Sequence, residues 1–179
     1  CKIWPDFKIY LFVELVFLIN IITKKGGAKK ISGVINLSAG SYGTFKEAVG
    51  VNGTVNKTGY NVQFTKLNSK GISSANDQAG NKNFDKDGID ESVFRAGINQ
   101  KINDKLLLRF TAQLSKYKTD LDAGQFTDDA DYTTTTKNSV ASIGADYNFG
   151  KSKIHFNYNY NQTQRVYLDD STSISGFAK

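Results

Sequence analysis

Over residues 91–117 and 138–164 the chain alternates apolar and polar side chains with a period of two, and that period excludes most folds at the outset. In "ESVFRAGINQKI" (91–102), Phe94, Ala96, Ile98 and Ile102 fall on one side, and Arg95, Gly97, Asn99 and Lys101 on the other. In "KLLLRFTAQLSKY" (105–117), Leu106, Leu108, Phe110, Ala112 and Leu114 oppose Leu107, Arg109, Thr111, Gln113 and Ser115. "NSVASIGADYNF" (138–149) puts Ala141, Ile143, Ala145, Tyr147 and Phe149 on its apolar side, and "SKIHFNYNYNQTQ" (152–164) puts Ile154, Phe156, Tyr158 and Tyr160 there. Successive side chains of a strand point to opposite faces, whereas a helix repeats every ~3.6 residues, so these segments are strands with one apolar face.

Three earlier segments, "SGVINLSAGSYG", "FKEAVGVNGTV" and "GYNVQFTKLNS", are joined through "GT" and "NKTG" and bring the total to about seven strands. The connections near 56–59, 103–104 and 150–151 are short, while those at 70–90, 118–134 and from 165 onward are long and rich in Asp, Asn, Ser and Thr. In an antiparallel up-and-down meander every second connection lies at the same end. One end is then clipped and the other carries polar loops, as in outer-membrane barrels. The strands are about 10 to 14 residues long, against a usual five or six. Tyr117, Tyr147, Phe149, Tyr158 and Tyr160 gather near strand ends, where an interfacial girdle is expected. The opposite face, rich in Asn, Gln, Ser, Thr, Lys and Gly, suits a water-filled or plugged lumen. The expected fold is all-β, a meander of about seven strands within a transmembrane β-barrel, although alternation alone also fits a soluble β-sandwich.

Composition agrees with strands: Phe 12, Tyr 9 and Gly 16 stand against Pro 1 and Met 0. The absence of methionine reads as a processed chain or an internal fragment. The net charge of +6 is scattered, with no basic run interleaved with stacking aromatics, so no nucleic-acid partner is expected. A single cysteine, Cys1, excludes an internal disulfide and a cysteine-based zinc site. His155 is the only histidine, and its period-two neighbours are asparagines, so it reads as a water-facing polar residue. With no nucleophile elbow, phosphate loop or paired histidines, no enzyme is expected.

The apolar run at 9–22, "IYLFVELVFLINII", carries Glu14 and is shorter than the about 20 residues of a spanning helix. No A-x-A cleavage pattern follows it. Residues 1–18 therefore form an uncertain lead-in, helical or non-native. If Glu14 to Phe17 are encoded GAG CTG GTG TTY, the same bases read two positions later give Ala-Gly-Val, the hypothesis of an out-of-frame start that DNA sequencing tests directly.

"INIITKKGG" (19–27) resembles the closing plug strand of TonB-dependent outer-membrane receptors. "ISGVINLSAGSYGTFKEAVGVNG" is similar to the first barrel hairpin of their cobalamin branch, and "NFDKDGIDESVFRAGINQKINDKLLLRFTAQLSKYKTDLDAG" to its Asp-rich second loop, next two strands and third loop. The resemblance spans residues 19–168. It implies that 19–30 form the last plug strand and a linker, and that 31–179 form the N-terminal part of a 22-stranded barrel. It also implies the outer membrane of a Gram-negative bacterium and uptake of a scarce ligand, cobalamin or another corrinoid. The implied partners are membrane lipid and a TonB complex engaged through N-terminal parts. In that branch loop aspartates bind calcium: Asp85 and Asp87 of "FDKDG" match best, then Asp120 or Asp122 of "KTDLDAG". Where a further aspartate is expected, "KGISSAND" offers Ile72 and Ser73, with Asp77 as a substitute.

The loop speaks without the resemblance too. Asn83, Asp85 and Asp87 alternate, Gly88 permits a sharp turn, and Asp90 and Glu91 follow, a set of hard oxygens that suits calcium. The twelfth position from Asn83 is Phe94, so the loop is no EF-hand; a solvated acidic turn accounts for the same residues. Two other architectures stay open: a secreted calcium-binding β-sandwich of adhesion or carbohydrate-binding type, and a small porin-like barrel with one more strand within 165–179.

Overall fold

Long alternating segments become long strands. In a computed structural model of the chain, which describes residues 29–78, 80 and 84–169, seven strands follow in sequence. They are β1 (Ser32–Gly40), β2 (Thr44–Val55), β3 (Thr58–Ser69), β4 (Ile89–Lys101), β5 (Leu106–Asp120), β6 (Thr133–Phe149) and β7 (Ser152–Leu168). All pair antiparallel in a single sheet ordered β1 to β7, the expected meander. The readings of 1–18 and "INIITKKGG", together with Asn83 and residues 170–179, lie outside the described residues.

The register joins the apolar faces without a slip. Ile98 pairs with Phe110, Phe110 with Ile143, and Ile143 with Tyr158. Two steps along, Ile35, Val49, Phe64, Phe94 and Leu114 form a second row across five strands. A shift of one residue in any pair would send a strand's whole apolar set to the other face. The other face carries rows such as Gln63, Arg95 and Gln113, or Asn61, Gly97, Thr111, Ser142 and Asn159.

Burial runs opposite to that of a water-soluble domain. The most enclosed side chains lie on the polar face: Val93 at 4%, Asp146 at 6%, Thr65 at 7% and Ala48 at 8% exposure. The apolar face stands clear on interior strands as well as at the edges, with Ile143 at 54%, Leu114 at 53% and Val49 at 50%. This is the signature of a sheet bent toward its polar side, where neighbouring side chains shade one another and those on the convex side splay apart.

At the clipped end β2–β3, β4–β5 and β6–β7 reverse through two, four and two residues. Asn56 and Gly150 take left-handed conformations there, with φ of 52° and 60°. The Asn103 side chain accepts the N–H groups of Lys105 and Leu106, both at 2.9 Å, which closes the "ND" turn locally. At the other end, 70–88 and 121–132 are long. The β1–β2 connection at that same end is only residues 41–43, with Tyr42 at φ 59° and Gly43 at φ 66°, so the asymmetry rests on two loops.

The aromatic girdle needs correction. Tyr117 pairs with Glu91 and Thr136 on the polar face, and Tyr158 and Tyr160 sit in the middle of β7. Tyr147 and Phe149 do lie at the clipped end, their rings stacked at 6.3 Å. The reason is that β6 and β7 extend further than expected, through 133–137, where no residue is apolar, and through 163–168. A backbone ladder needs no apolar side chain, so strands outrun the pattern that reveals them.

Candidate functional site

Two loops meet at the open end of β3–β6. Asn76 donates its N–H to the Gln125 carbonyl at 2.7 Å, and the first loop folds on itself through Asp87 N–H to Ile72 O at 3.2 Å. Gly71 makes that fold sterically possible: at φ 65°, a Cβ there would sit 1.9 Å from the Asp87 carbonyl oxygen. The second loop is closed by Leu121 N–H to Tyr132 O at 2.8 Å.

This folding brings Asp85, Asp87 and Asp122 together, all half-buried, each with a carboxylate oxygen within 4.8 Å of the others. Asp122 Oδ2 accepts the Ala75 N–H and the hydroxyls of Ser74 at 3.0 Å and Ser73 at 3.3 Å, while its Oδ1 accepts the Asp129 N–H at 3.2 Å. Asp87 Oδ2 takes the N–H and hydroxyl of Ser74. The Ser74 hydroxyl has one proton for two carboxylates, so it ties Asp87 to Asp122 at any instant through only one of them. Asp85 donates its N–H to Asp128 at 3.0 Å.

The electrostatics follow from this crowding. Burial pushes the Asp85 carboxyl up to about 6, and the hydrogen bond and charge of Asp128, then the charges of Asp87 and Asp122, push the same way. Burial alone would raise Asp122 as well, but the N–H of Ala75, the Ser74 hydroxyl and the N–H of Asp129 outweigh it and hold that carboxyl below its ordinary range. The Oδ1 atoms of Asp85 and Asp87 are buried without a hydrogen-bond partner. Converging carboxylates with orphaned oxygens fit a hard divalent cation, which would be held by Asp85, Asp87 and Asp122.

The other candidates take different places. Asp120 accepts the Gly88 N–H at 3.2 Å and lies 3.9 Å from Lys118, so it fastens the entry to β4 and stays outside the triad. Asp77 is also outside it, its carbonyl accepting the Gly80 N–H at 3.4 Å. Where an aspartate was expected, near Ile72 and Ser73, the loop supplies serine hydroxyls and N–H groups, which orient carboxylates. Sequence reasoning passed over Asp128 and a second carboxylate group, Asp129, Asp131 and Asp169, although the acid run "TDDADY" was a visible signal. Tyr132 and Tyr167, stacked at 6.3 Å, join that loop to the end of β7.

A separate charged cluster occupies the polar face near the clipped end. Asp146 there lies 2.9 Å from Arg109, 2.9 Å from His155 Nδ1 and 3.8 Å from Lys153, and Arg109 also donates to Asn157 at 3.0 Å. Gly144 leaves room for the guanidinium, since a Cβ would come within 2.9 Å of it. His155 thus shares the polar face with its asparagines, as a hydrogen-bond partner of Asp146.

No family model matches the chain, and comparison with curated proteins and with solved structures finds no match either.

Proposed function

We propose that this chain is part of a TonB-dependent outer-membrane transporter of a Gram-negative bacterium, with a loop end that captures a corrinoid or a similar chelate. One observation carries the membrane half of the reading: a single sheet that encloses its polar face and exposes its apolar one. More than a dozen large apolar side chains stand on that face. About half of their surface stays in water, which forgoes about 1 kcal/mol each and on the order of 10–20 kcal/mol in all, as much as the ~5–15 kcal/mol net stability of an ordinary domain. Lipid removes that deficit. It also requires every backbone group to be paired, so the edges of β1 and β7, which have no partner strand among the described residues, call for neighbouring strands in a closed barrel. The resemblance suggests 22 strands around a plug.

The transport half rests on the resemblance and on the loop cluster. Calcium held by Asp85, Asp87 and Asp122 would neutralise their mutual repulsion and lock loops 70–88 and 121–132 into one surface for the ligand. The remaining steps follow the receptors the chain resembles: the ligand sits at the loops, and the TonB complex pulls on the plug to admit it. A secreted β-sandwich of adhesion or carbohydrate-binding type could use the same loop cluster, but it needs a second sheet over the apolar face, and the described residues form one.

The test is accessibility by face. With single spin labels on the chain in lipid vesicles, Phe94 and Leu114 should be relaxed by a lipid-soluble reagent, and Arg95 and Gln113 by a water-soluble one. A detergent-free soluble monomer with a cooperative melt would sink the membrane reading and favour the sandwich.

A further inference from the structure

The apolar face does not end in the same way at its two margins. At the clipped end it closes with the stacked rings of Tyr147 and Phe149. At the loop end, the register sets Lys66, Ser92, Lys116 and Lys137 one step beyond the row of Phe64, Phe94, Leu114 and Ser139, on the same face. Lys118 lies one step further on.

These lysines are not equally neutralised. Lys66 is paired with Asp90 and faces Glu47 across β2–β3, and Lys118 is 3.9 Å from Asp120. Lys116 and Lys137 are exposed, have no carboxylate partner among the described residues, and stand directly opposite each other across β5–β6. Like charges so placed repel and destabilise a strand pair, so this position is arranged for an anion from outside the sheet.

The surface there has the shape of a two-part ligand. A shallow apolar depression of about 280 Å³ runs between Phe64, Phe94 and Leu114, and Lys116 and Lys137 stand at its rim. A more polar one of about 520 Å³ adjoins it, bordered by Lys66 and Lys118 with their partners Asp90 and Asp120, and by the unpaired Lys116. The two share Ser92 and Lys116, and the small Ser92 leaves an opening between Lys66 and Lys116.

We infer that this margin binds the phosphate headgroup of an anionic membrane lipid, with Lys116 and Lys137 on the phosphate and an acyl chain along Phe64, Phe94 and Leu114. The inference rests on the membrane reading above, which puts this face against lipid. Lysines at the edge of an apolar band reach their ammonium groups to the headgroup layer, where an anionic surface attracts them. The aromatic margin at the clipped end has no counterpart to the facing lysine pair, so the lipid contacts are polarised toward the loop end.

Lipid retention tests this. The full chain would be reconstituted in phosphatidylcholine vesicles doped with phosphatidylglycerol, re-extracted, and its retained lipid quantified by mass spectrometry. Phosphatidylglycerol should be enriched, and K116S/K137S should lose about 25-fold of that enrichment, from about fivefold per lysine at an anionic surface. K116R/K137R should keep it, and so should the clipped-end control K105S/K151S. On the unchanged chain, enrichment should fall steeply with added salt, a readout that does not depend on any variant folding. Full retention by K116S/K137S, an equal loss in the control, salt-insensitive retention, or displacement by inorganic phosphate at matched concentration would each overturn the lipid assignment. A chain that floats with pure phosphatidylcholine vesicles but shows no enrichment sinks this inference alone. A chain that does not float at all sinks the membrane reading, and this inference with it.

Discussion

At the clipped end of the sheet, each reversal is closed by groups a few residues apart: Asn103 accepts from Lys105 and Leu106, and Asn56 and Gly150 supply the left-handed backbone. At the loop end the ties are long-range: Ser73 reaches Asp122 across 49 residues of sequence, and Asp85 reaches Asp128 across 43. The first end is assembled from short turns whose one carboxylate, Asp104, is already paired with Lys101 at 2.7 Å. The second depends on carboxylates that repel one another until something neutralises them, so it is the end that responds to protons and cations. A rigid end and a conditional end on one sheet suit a molecule that holds its place in a membrane while its loops answer to a ligand.

The contrast can be broken most forcefully at Asp122, which accepts from four different residues. Asp122→Ala should cost the loop end about 2–4 kcal/mol, because hydrogen bonds to a charged acceptor contribute ~1.5–3 kcal/mol each and not all are lost outright. Hydrogen exchange should show 70–88 and 121–132 opened while the clipped turns keep their protection. If the clipped turns loosen equally, the two ends are not independent.

Cation binding comes next. Calcium at about 100 times its dissociation constant should add ~2.7 kcal/mol of protection to loop amides at neutral pH, a chelator should remove it, and Asp85→Asn/Asp87→Asn should abolish the response. Equal protection in the double variant would leave only a solvated acidic turn.

The pH response is smaller and has a defined sign. With no cation, the folded chain keeps a proton on Asp85 between its ordinary 3.8 and about 6, where the unfolded chain has lost it. Loop stability should therefore decline as pH rises through that window. Asp122 acts oppositely: its lowered value stabilises the folded loops above the ordinary carboxyl range, and this is lost as pH falls below it. Protection of the loop amides should peak near the middle of the acidic range, and Asp85→Asn should remove the decline on its upper side. A steady rise in protection from pH 4 to 7 would contradict this assignment. The smallest effect belongs to the clipped end: Asn103→Ala should cost about 1 kcal/mol in that turn alone, with no dependence on calcium.

The two ends also differ in how far the sequence discloses them. "ND" and "GK" announce tight turns because their chemistry is local. Asp85 and Asp87 are legible as a pair, since alternation across "FDKDG" brings them to one side. Between Asp120 and Asp122 the sequence offers no choice: both fall in "KTDLDAG", and only the end of β5 at Asp120 separates a residue that fastens Gly88 from one that joins the triad. Ser74 was invisible as a participant and Asp128 was visible only as part of an acid run, because their roles depend on where a loop from another part of the chain comes to rest. Tyr117 was misplaced because its nearness to the end of β5 was weighed without its parity, which puts it on the polar face with Thr111 and Gln113.

The sequence by itself determined which side chains share a face and in what order the strands turn back, because side-chain direction alternates residue by residue whatever the partner strand. Tertiary structure alone decided which face is enclosed, which lysines confront each other and which aspartates converge. Those depend on register, sheet bending and loop closure, and a loop has no period to read. Closing it costs conformational entropy that only contacts from the opposite loop repay.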